Sequence, residues 1–417
     1  MANPLHSVCL LTLLLSSPGA AATGGWVPSG LPAPPEVGPM LCPRDYLTPD
    51  QGAAVLQEAL AQFPDAAAWK AYRDHARQRI REGAGLDPWP QRTPLTPVTH
   101  SRRHHDGYSV ENIRLETMPG VFATGNLYRP DGDKPRHPAV LSTHGHTGGG
   151  KSAADLERHG RFHPFAQTRA AMLARQGAVV LTLDMFGYGD SIEQVGQEAH
   201  RTPLAMTVQL WNAIRAIDYL AAREDVDPQR IAVTGESGGG TQAFLLTALD
   251  ERVAVSVPVV MVSSYFFGGC PCESGRPIHR SADHFVSNAM IVGFAVPRPL
   301  LVISDGKDWT QHVPEAEYPF LQEIYRRFGV PDQVENVHLA DEGHDYGPSK
   351  RAALYGFLAK HLGLRAAPAD PATGQVDESG VTIELPAQLR VYDAAHPLPD
   401  HALRSTEEIE QLWPGLR

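Results

Sequence analysis

From about residue 110 onward, short apolar runs alternate with amphipathic stretches, and this alternation predicts a mostly parallel sheet covered by helices on both faces. Two runs, 112–118 and 121–128, flank Pro119-Gly120 and predict an antiparallel pair at the start of the sheet. The later runs are continuously apolar, as strands buried on both faces are. They are 139–143, 178–183, 230–234, 253–257, 299–304 and 336–339. The predicted fold class is α/β.

Apolar residues at three- and four-residue spacings predict helices between these strands. One predicted helix begins with Thr202 as its N-cap and Pro203 in its first turn. Others are predicted at 241–249, 314–328 and 348–362. Upstream, 51–63 and 65–82 show the same spacing. We therefore expect a helical N-terminal segment that packs on the main domain.

The first 22 residues have the profile of a signal peptide. The apolar run at 8–15 is too short to span a bilayer, and 20–22 offer small side chains for cleavage. Because no Lys or Arg precedes that run, an uncleaved hydrophobic start is the alternative. We expect an exported protein, periplasmic or extracellular, with no stable membrane insertion. Its predicted parts are a signal peptide at 1–22, an N-terminal coil and helical segment at 23–105, a catalytic domain at 106–365 and a C-terminal extension at 366–417, in which 380–385 is the predicted strand.

The charge of the chain limits its possible binding partners, and its cysteines limit its possible disulfides and metal sites. Acidic residues outnumber basic ones by 47 to 36, and no Lys/Arg block is present, which argues against nucleic acid as a partner. Removal of the signal peptide would leave Cys42, Cys270 and Cys272. Cys42 pairing with either of the others and buried thiols are equally open. No metal site is predicted at Cys270-Pro271-Cys272, because the sequence shows no second Cys/His pair beside it.

A Gly-x-Ser-x-Gly motif at 235–239 follows the predicted strand 230–234 directly. This strand-to-helix context is typical of a nucleophile elbow, in which the serine adopts a strained backbone conformation and its neighbours must lack bulk. The predicted helix 241–249 would point its N-terminal amides at the serine. Ser237 is therefore the candidate nucleophile.

A serine hydroxyl needs a base, and the base needs a carboxylate to orient it. In a fold with this elbow the three follow in the order Ser, acid, His. His344 follows the last predicted strand and is favoured over His338, which lies within that strand. Asp308 and Asp305 both follow the preceding strand. Asp308 is favoured because a few loop residues let its carboxylate reach back, whereas Asp305 suits a turn.

The tetrahedral intermediate needs two backbone donors for its oxyanion. The amide of Gly238 is one candidate, and the amide of His146, in a loop after the predicted strand 139–143, is the other. His144 and His146 have no carboxylate nearby in sequence, so they are interpreted as loop residues rather than metal ligands. We expect the reaction to need no metal and no organic cofactor.

Residues 145–152 also match the P-loop pattern Gly-x-x-x-x-Gly-Lys-Ser after a strand. With a metal-binding Asp recruited from 181–184, this would make the chain a nucleotide hydrolase. The interpretation is disfavoured because Gly160 and Pro164 interrupt the stretch where the P-loop helix should run.

With these residues placed, the chain resembles the acetylxylan-esterase-like branch of the dienelactone-hydrolase-related α/β-hydrolases. The resemblance covers about residues 40–365 and is carried by the motifs at 125–130, 144–146, 184–187, 235–241, 308–310 and 343–346. It implies the α/β-hydrolase fold and a triad of Ser237, Asp308 and His344. It also implies a carbohydrate ester substrate, acetyl esters above all, for a secreted serine esterase. A serine peptidase of the same fold would use the same triad and is the rival function.

Candidate substrate contacts lie beside these residues. Tyr265 and Phe266 follow the strand after the elbow and could line the acyl pocket, although apolar packing explains them equally well. Trp309, next to the candidate acid, could be a sugar platform or a core residue. Glu236, within the elbow, is a further candidate contact.

Overall fold

The computed structural model describes residues 25–31, 47–132, 135–146 and 159–416. The predicted signal peptide at 1–22 and the predicted Cys42 pairing fall outside the described residues, as do residues 147–152 of the P-loop match at 145–152.

One sheet runs through the molecule in the strand order β1-β2-β3-β5-β4-β6-β7-β8-β9. Strands β1, β2 and β3 pair antiparallel, β3 meets β5 antiparallel, and the rest are parallel. The predicted mostly parallel sheet is confirmed. The strands are β1 (Val98–His105), β2 (Tyr108–Met118), β3 (Val121–Pro130), β4 (His137–Ser142), β5 (Val179–Leu183), β6 (Val226–Glu236), β7 (Val253–Val259), β8 (Leu300–Asp305) and β9 (Val334–Leu339).

Helices cover both faces of the sheet, as predicted. Among the described residues the α-helices are α1 (Pro49–Gln62), α2 (Ala66–Gly83), α3 (Pro164–Arg175), α4 (Ser191–Val195), α5 (Leu204–Ala222), α6 (Gly238–Leu249), α7 (Pro271–Ser274), α8 (Asn288–Gly293), α9 (Tyr318–Arg327), α10 (Pro348–Leu362), α11 (Pro386–Leu389) and α12 (Thr406–Gln411). Short 3₁₀ turns lie at Gly160–Phe162, Gln197–Arg201, Pro331–Gln333 and Pro414–Leu416, and a π-helical turn at Val313–Glu317 precedes α9. Within this part of the chain, no helix has the length and apolarity needed to cross a bilayer.

The core is divided by the sheet into two clusters, because successive strand residues point to opposite faces. In β4, Val140 packs with α3 and α10, whereas Leu141 packs with the larger cluster that contains α2, α5 and α6. The helical N-terminal segment belongs to the larger cluster. Its Trp69 and Tyr72 are fully buried, and the Tyr72 hydroxyl donates to the Phe285 carbonyl at 2.7 Å. These helices therefore pack against the main domain.

Two predictions about sheet membership need correction. Residues 98–105, assigned from the sequence to the N-terminal coil and helical segment, form the edge strand β1 and pair with β2. Their sequence is polar on both faces, so no apolar run marks the strand. The predicted strand at 380–385 is absent from the described residues of the tail. There the Glu384 amide donates to the Gln167 side chain, and the Glu384 carboxylate binds Arg103 and His105.

The C-terminal extension is built into the domain through Arg161, which is fully buried. Its guanidinium pairs with Asp184 at 2.9 Å and with Asp190, and it donates to the Leu389 carbonyl of α11 at 2.8 Å. The amide of Val391 donates to Asp190 at 2.8 Å. The tail therefore shares the buried ionic network beside β5. Further along, Trp413 is fully buried in the larger core cluster.

Truncating that tail side chain tests whether the extension is part of the core. We expect Trp413→Ala to lower the free energy of unfolding by about 3–5 kcal/mol, because it leaves a cavity among packed side chains. The neighbouring Leu412 is 36% exposed, and Leu412→Ala should change stability by less than about 0.5 kcal/mol. Urea unfolding of both variants measures the difference. Equal midpoints would show that the tail contributes nothing to the core.

Candidate active site

The turn between β6 and α6 holds Ser237 in a strained conformation, with φ 55° and ψ −124°. A non-glycine residue at positive φ is disfavoured, and such strain is typical of a nucleophile elbow. The surroundings tolerate no side chains. A Cβ on Gly235 would lie 2.5 Å from the Gly239 carbonyl oxygen, and one on Gly239 would lie 2.8 Å from the His144 carbonyl carbon. The glycines thus let the strand, the helix and the loop after β4 meet at Ser237.

Asp308 and His344 are directly hydrogen-bonded. Asp308 follows β8 and His344 follows β9, and the His344 Nδ1 lies 2.6 Å from the Asp308 Oδ2. The other carboxylate oxygen accepts from the amide and the hydroxyl of Thr310, at 2.5 and 2.6 Å. These bonds fix the carboxylate, so it can hold the imidazole with the proton on Nδ1 and leave Nε2 as the base.

Asp305, the alternative acid, has a different partner. Its carboxylate lies 3.4 Å from the Lys350 ammonium, and burial raises its pKa above the ordinary value. Lys350 also donates to the Gly343 carbonyl at 2.6 Å and to Asp345 at 2.9 Å. Lys350 therefore fastens both neighbours of His344 to the end of β8. Asp305 supports the loop that carries the imidazole.

The ends of parallel strands bring Ser237 and His344 to the same edge of the sheet. Tyr346, two residues after His344, shares a 2.8 Å hydrogen bond with the hydroxyl of Thr234, which lies in β6 just before the elbow. Within the described residues, the Ser237 hydroxyl makes no hydrogen bond to His344. Contacts of this kind are often long in ligand-free sites and tighten when substrate binds. The catalytic roles of Ser237, Asp308 and His344 stay predictions.

Glu236 does not fit its predicted role as a substrate contact, because both of its carboxylate oxygens have partners inside the protein. Its side chain is buried, with one oxygen accepting from the Gly145 amide at 3.1 Å and the other 3.0 Å from Arg169. Arg169 also donates to the Ser142 hydroxyl and the Thr143 carbonyl, at 2.9 and 3.0 Å. The carboxylate therefore points inward and ties the elbow to the end of β4.

The loop after β4 lies against the nucleophile. A Cβ on Gly145 would lie 2.8 Å from the Ser237 Cβ, and one on Gly238 would lie 2.9 Å from the His146 ring. Next in the loop, burial lowers the pKa of His144 to about 4, so this ring is neutral and its Nε2 accepts from the Met185 amide at 3.2 Å. The loop is thus positioned where a second oxyanion donor is needed, and the use of the Gly238 and His146 amides stays a prediction.

An aromatic surface lies beside the imidazole. The rings of Phe266 and Trp309 are stacked with centroids 4.1 Å apart, and Trp309 lies 4.6 Å from His344. Tyr265 packs edge-on against His312 at 5.8 Å. Phe266, Trp309 and Tyr265 are each partly exposed. They are available to a ligand, and their contact with substrate stays a prediction.

One group of residues was missed by sequence reasoning. The ligand atoms of His146, His200, Cys270 and Cys272 all lie within 4.8 Å of one another. The sequence argument against a metal rested on the lack of a second Cys/His pair near Cys270, and folding supplies that pair from two distant loops. A Cys-x-Cys motif and histidines in loops at one sheet edge were the available signal.

The nucleotide-hydrolase alternative loses its expected metal ligand. Asp184, the acidic residue at the end of β5, is buried against Arg161 and accepts from the Thr124 hydroxyl at 2.7 Å. Both carboxylate oxygens are thus used inside the protein.

Comparison with known proteins places these features in a family. A family model described as fungal glucuronyl esterase matches residues 197–270. A 4-O-methyl-glucuronoyl methylesterase of Phanerochaete carnosa is 27% identical over 233 residues, which is 45% of this chain and 55% of that protein. The chain spans about half to three fifths of the length of the curated relatives it matches.

Solved structures give a longer match. Methylesterase BT1017 is 40% identical, with a TM-score of 0.79 over 88% of this chain and 79% of that one. A glucuronoyl esterase from Solibacter usitatus is 17% identical, with a TM-score of 0.52 over 71% of this chain and 94% of that one, and it shares the fold. The predicted α/β-hydrolase fold is confirmed.

Removing Arg169 tests the link between the elbow and β4. We expect Arg169→Met to cost about 3–5 kcal/mol of folding free energy, because the buried Glu236 carboxylate loses its partner. Arg175 lies on the same helix and pairs with the well-exposed Asp106, so Arg175→Met should cost less than about 1 kcal/mol. Denaturant titration measures the free energy of unfolding of both variants. Similar losses of stability would show that the buried Arg169–Glu236 pair matters no more than the surface pair.

Proposed function

This chain belongs to the carbohydrate-esterase family of α/β-hydrolases, and from that premise we propose that it hydrolyses carboxylic esters of carbohydrates through an acyl-enzyme at Ser237. The observation that supports the proposal most directly is the strained serine on the same sheet edge as the bonded Asp308–His344 pair. The three residues follow β6, β8 and β9, whose ends lie at one edge of the parallel part of the sheet.

The proposed reaction has two acyl-transfer steps. The Ser237 hydroxyl attacks the ester carbonyl while the Nε2 of His344 takes its proton, and Asp308 stabilises the imidazolium that forms. The amides of Gly238 and His146 hold the oxyanion. His344 then protonates the departing alcohol. Water attacks the acyl-enzyme by the same route, which releases the acid and restores the serine.

For the ester itself, we propose the methyl ester of a sugar acid. The sequence resemblance points to acetyl esters. Two relatives are instead described as methylesterases: the solved structure that covers 88% of this chain and the fungal protein that matches 45% of it. The two differ in which part stays on the enzyme, because a methyl ester leaves the sugar acid on the serine and an acetyl ester leaves acetate. The stacked Phe266–Trp309 surface beside His344 offers an apolar wall for a sugar ring on the acyl side.

Export is proposed as well, on the strength of the apolar run at 8–15 and the small residues at 20–22. Expression of the full chain in a bacterial host, followed by N-terminal sequencing of the periplasmic fraction, tests it. A chain retained with its first residues intact would contradict the proposal.

Replacing the nucleophile tests the reaction. Ser237→Ala should lower kcat by about four to six orders of magnitude on methyl esters of sugar acids, because the covalent route is lost. A fluorophosphonate should label the wild type and leave this variant unlabelled. Initial rates on methyl-esterified uronate oligosaccharides, acetylated xylan fragments and a peptide panel compare the substrates. A faster rate on acetyl esters would reverse the substrate choice, and peptide cleavage alone would favour the peptidase.

Two aspartates near the end of β8, Asp305 and Asp308, provide a matched pair. Asp308→Asn should lower kcat by about 10⁴-fold, because an amide favours the wrong imidazole tautomer. Asp305→Asn changes the partner of Lys350 instead and should keep kcat within about tenfold of the wild type. Steady-state rates with melting temperatures as a folding check separate them. The opposite ranking would make Asp305 the acid.

A further inference from the structure

Four side chains from three separate segments converge beside the elbow, and we propose that His146, His200, Cys270 and Cys272 bind a tetrahedral divalent transition-metal ion of the zinc type. His146 lies in the loop after β4, His200 in the turn Gln197–Arg201, and the cysteines at the start of α7. Metal binding does not depend on the proposed esterase activity.

The distances suit a two-nitrogen, two-sulfur site. Zinc lies about 2.0–2.1 Å from histidine nitrogen and about 2.3 Å from thiolate sulfur, so the corners of its tetrahedron are about 3.3–3.8 Å apart. The Nε2 atoms of His146 and His200 are 2.9 Å apart, and the His146 Nε2 is 3.2 Å from the Cys272 sulfur. All four ligand atoms lie within 4.8 Å of one another. Small side-chain rotations therefore place them around one centre.

The outer nitrogens of both imidazoles face acceptors, as metal-bound histidines usually do. The Nδ1 of His200 lies 2.7 Å from the Phe186 carbonyl oxygen, and the Nδ1 of His146 lies 3.4 Å from a Glu273 oxygen. A proton on each Nδ1 leaves a lone pair on each Nε2. The 2.9 Å separation of the two Nε2 atoms suits either a shared proton or a shared cation, and the cation takes the place of that proton when metal binds.

Charge also favours a cation. Ligation would deprotonate both thiols and so bring two negative charges beside the buried Glu273 side chain. Glu273 is already held by the amides of Gly269 and Cys270, at 2.6 and 3.1 Å. Buried charges are stable only when they are paired or bind a metal. A divalent ion would balance the charge of the two thiolates.

Four protein ligands make a closed site, and closed sites are structural rather than catalytic. The ion would join the loop carrying His146 to α7 and to the turn carrying His200. The His146 ring also lies against Gly238, where an added Cβ would come within 2.9 Å of it. Both proposed oxyanion donors would therefore be held by the ion, a positioning role that rests on the proposed function.

Metal content of the purified full chain tests binding. After chelation, incubation with zinc and gel filtration, elemental analysis should find about one ion per wild-type chain and almost none in Cys272→Ser or His200→Asn. The control is His396→Asn, in the partly exposed group of His100, Asp393 and His396, and this variant should keep its ion. A wild type without zinc, a Cys270–Cys272 disulfide in place of the ion, or loss of zinc only in His396→Asn would overturn the proposal.

Cobalt gives a readout that is independent of activity and of variant folding. Cobalt-loaded wild type should show thiolate-to-metal charge-transfer absorption, and its absence would contradict cysteine ligation. The role of the ion is measured separately, by comparing kcat of chelated and zinc-loaded enzyme. If zinc binds and kcat is unchanged, the positioning role fails while the metal site stands. If zinc binds and no ester is cleaved, the proposed function fails alone.

Discussion

The buried ion pair between Arg169 and Glu236 is the contact on which the arrangement of the candidate site depends. Both charges lie away from water, so each needs the other and the polar atoms around it. Arg169 bonds the end of β4, and Glu236 bonds the loop beyond it. The same guanidinium packs 4.2 Å from the centre of the Tyr346 ring, in the loop that carries His344. One helix residue thus joins the elbow, the end of β4 and the loop that carries His344.

Much of this arrangement could be predicted from local patterns. Strands buried on both faces are continuously apolar, so β4 to β8 stand out in the sequence. Because parallel strands end at one edge, residues that follow them meet there, and this brought Ser237, Asp308 and His344 into one region of the predicted fold. The choice of Asp308 over Asp305 rested on loop length and on the family resemblance, and the structure puts the Asp308 carboxylate 2.6 Å from the imidazole.

What escaped prediction has a common cause, because it depends on contacts between distant segments. The edge strand β1 is polar on both sides, so neither period nor apolarity identifies it. Glu236 resembled an exposed elbow residue until Arg169, 67 positions earlier, was placed against it. His146, His200 and the two cysteines come from three separate segments of the chain. A sequence search for metal ligands looks for a fixed spacing within one segment, so it misses a site of this kind.

The position of Trp413 has a consequence for how the protein is made. This residue packs in the same core as Trp69, although nearly the whole chain separates them. During synthesis the strands of the sheet leave the ribosome well before Trp413 does, so this part of the core stays incomplete until Trp413 has emerged. Packing of this part of the core is therefore a late step in the folding of the newly made chain.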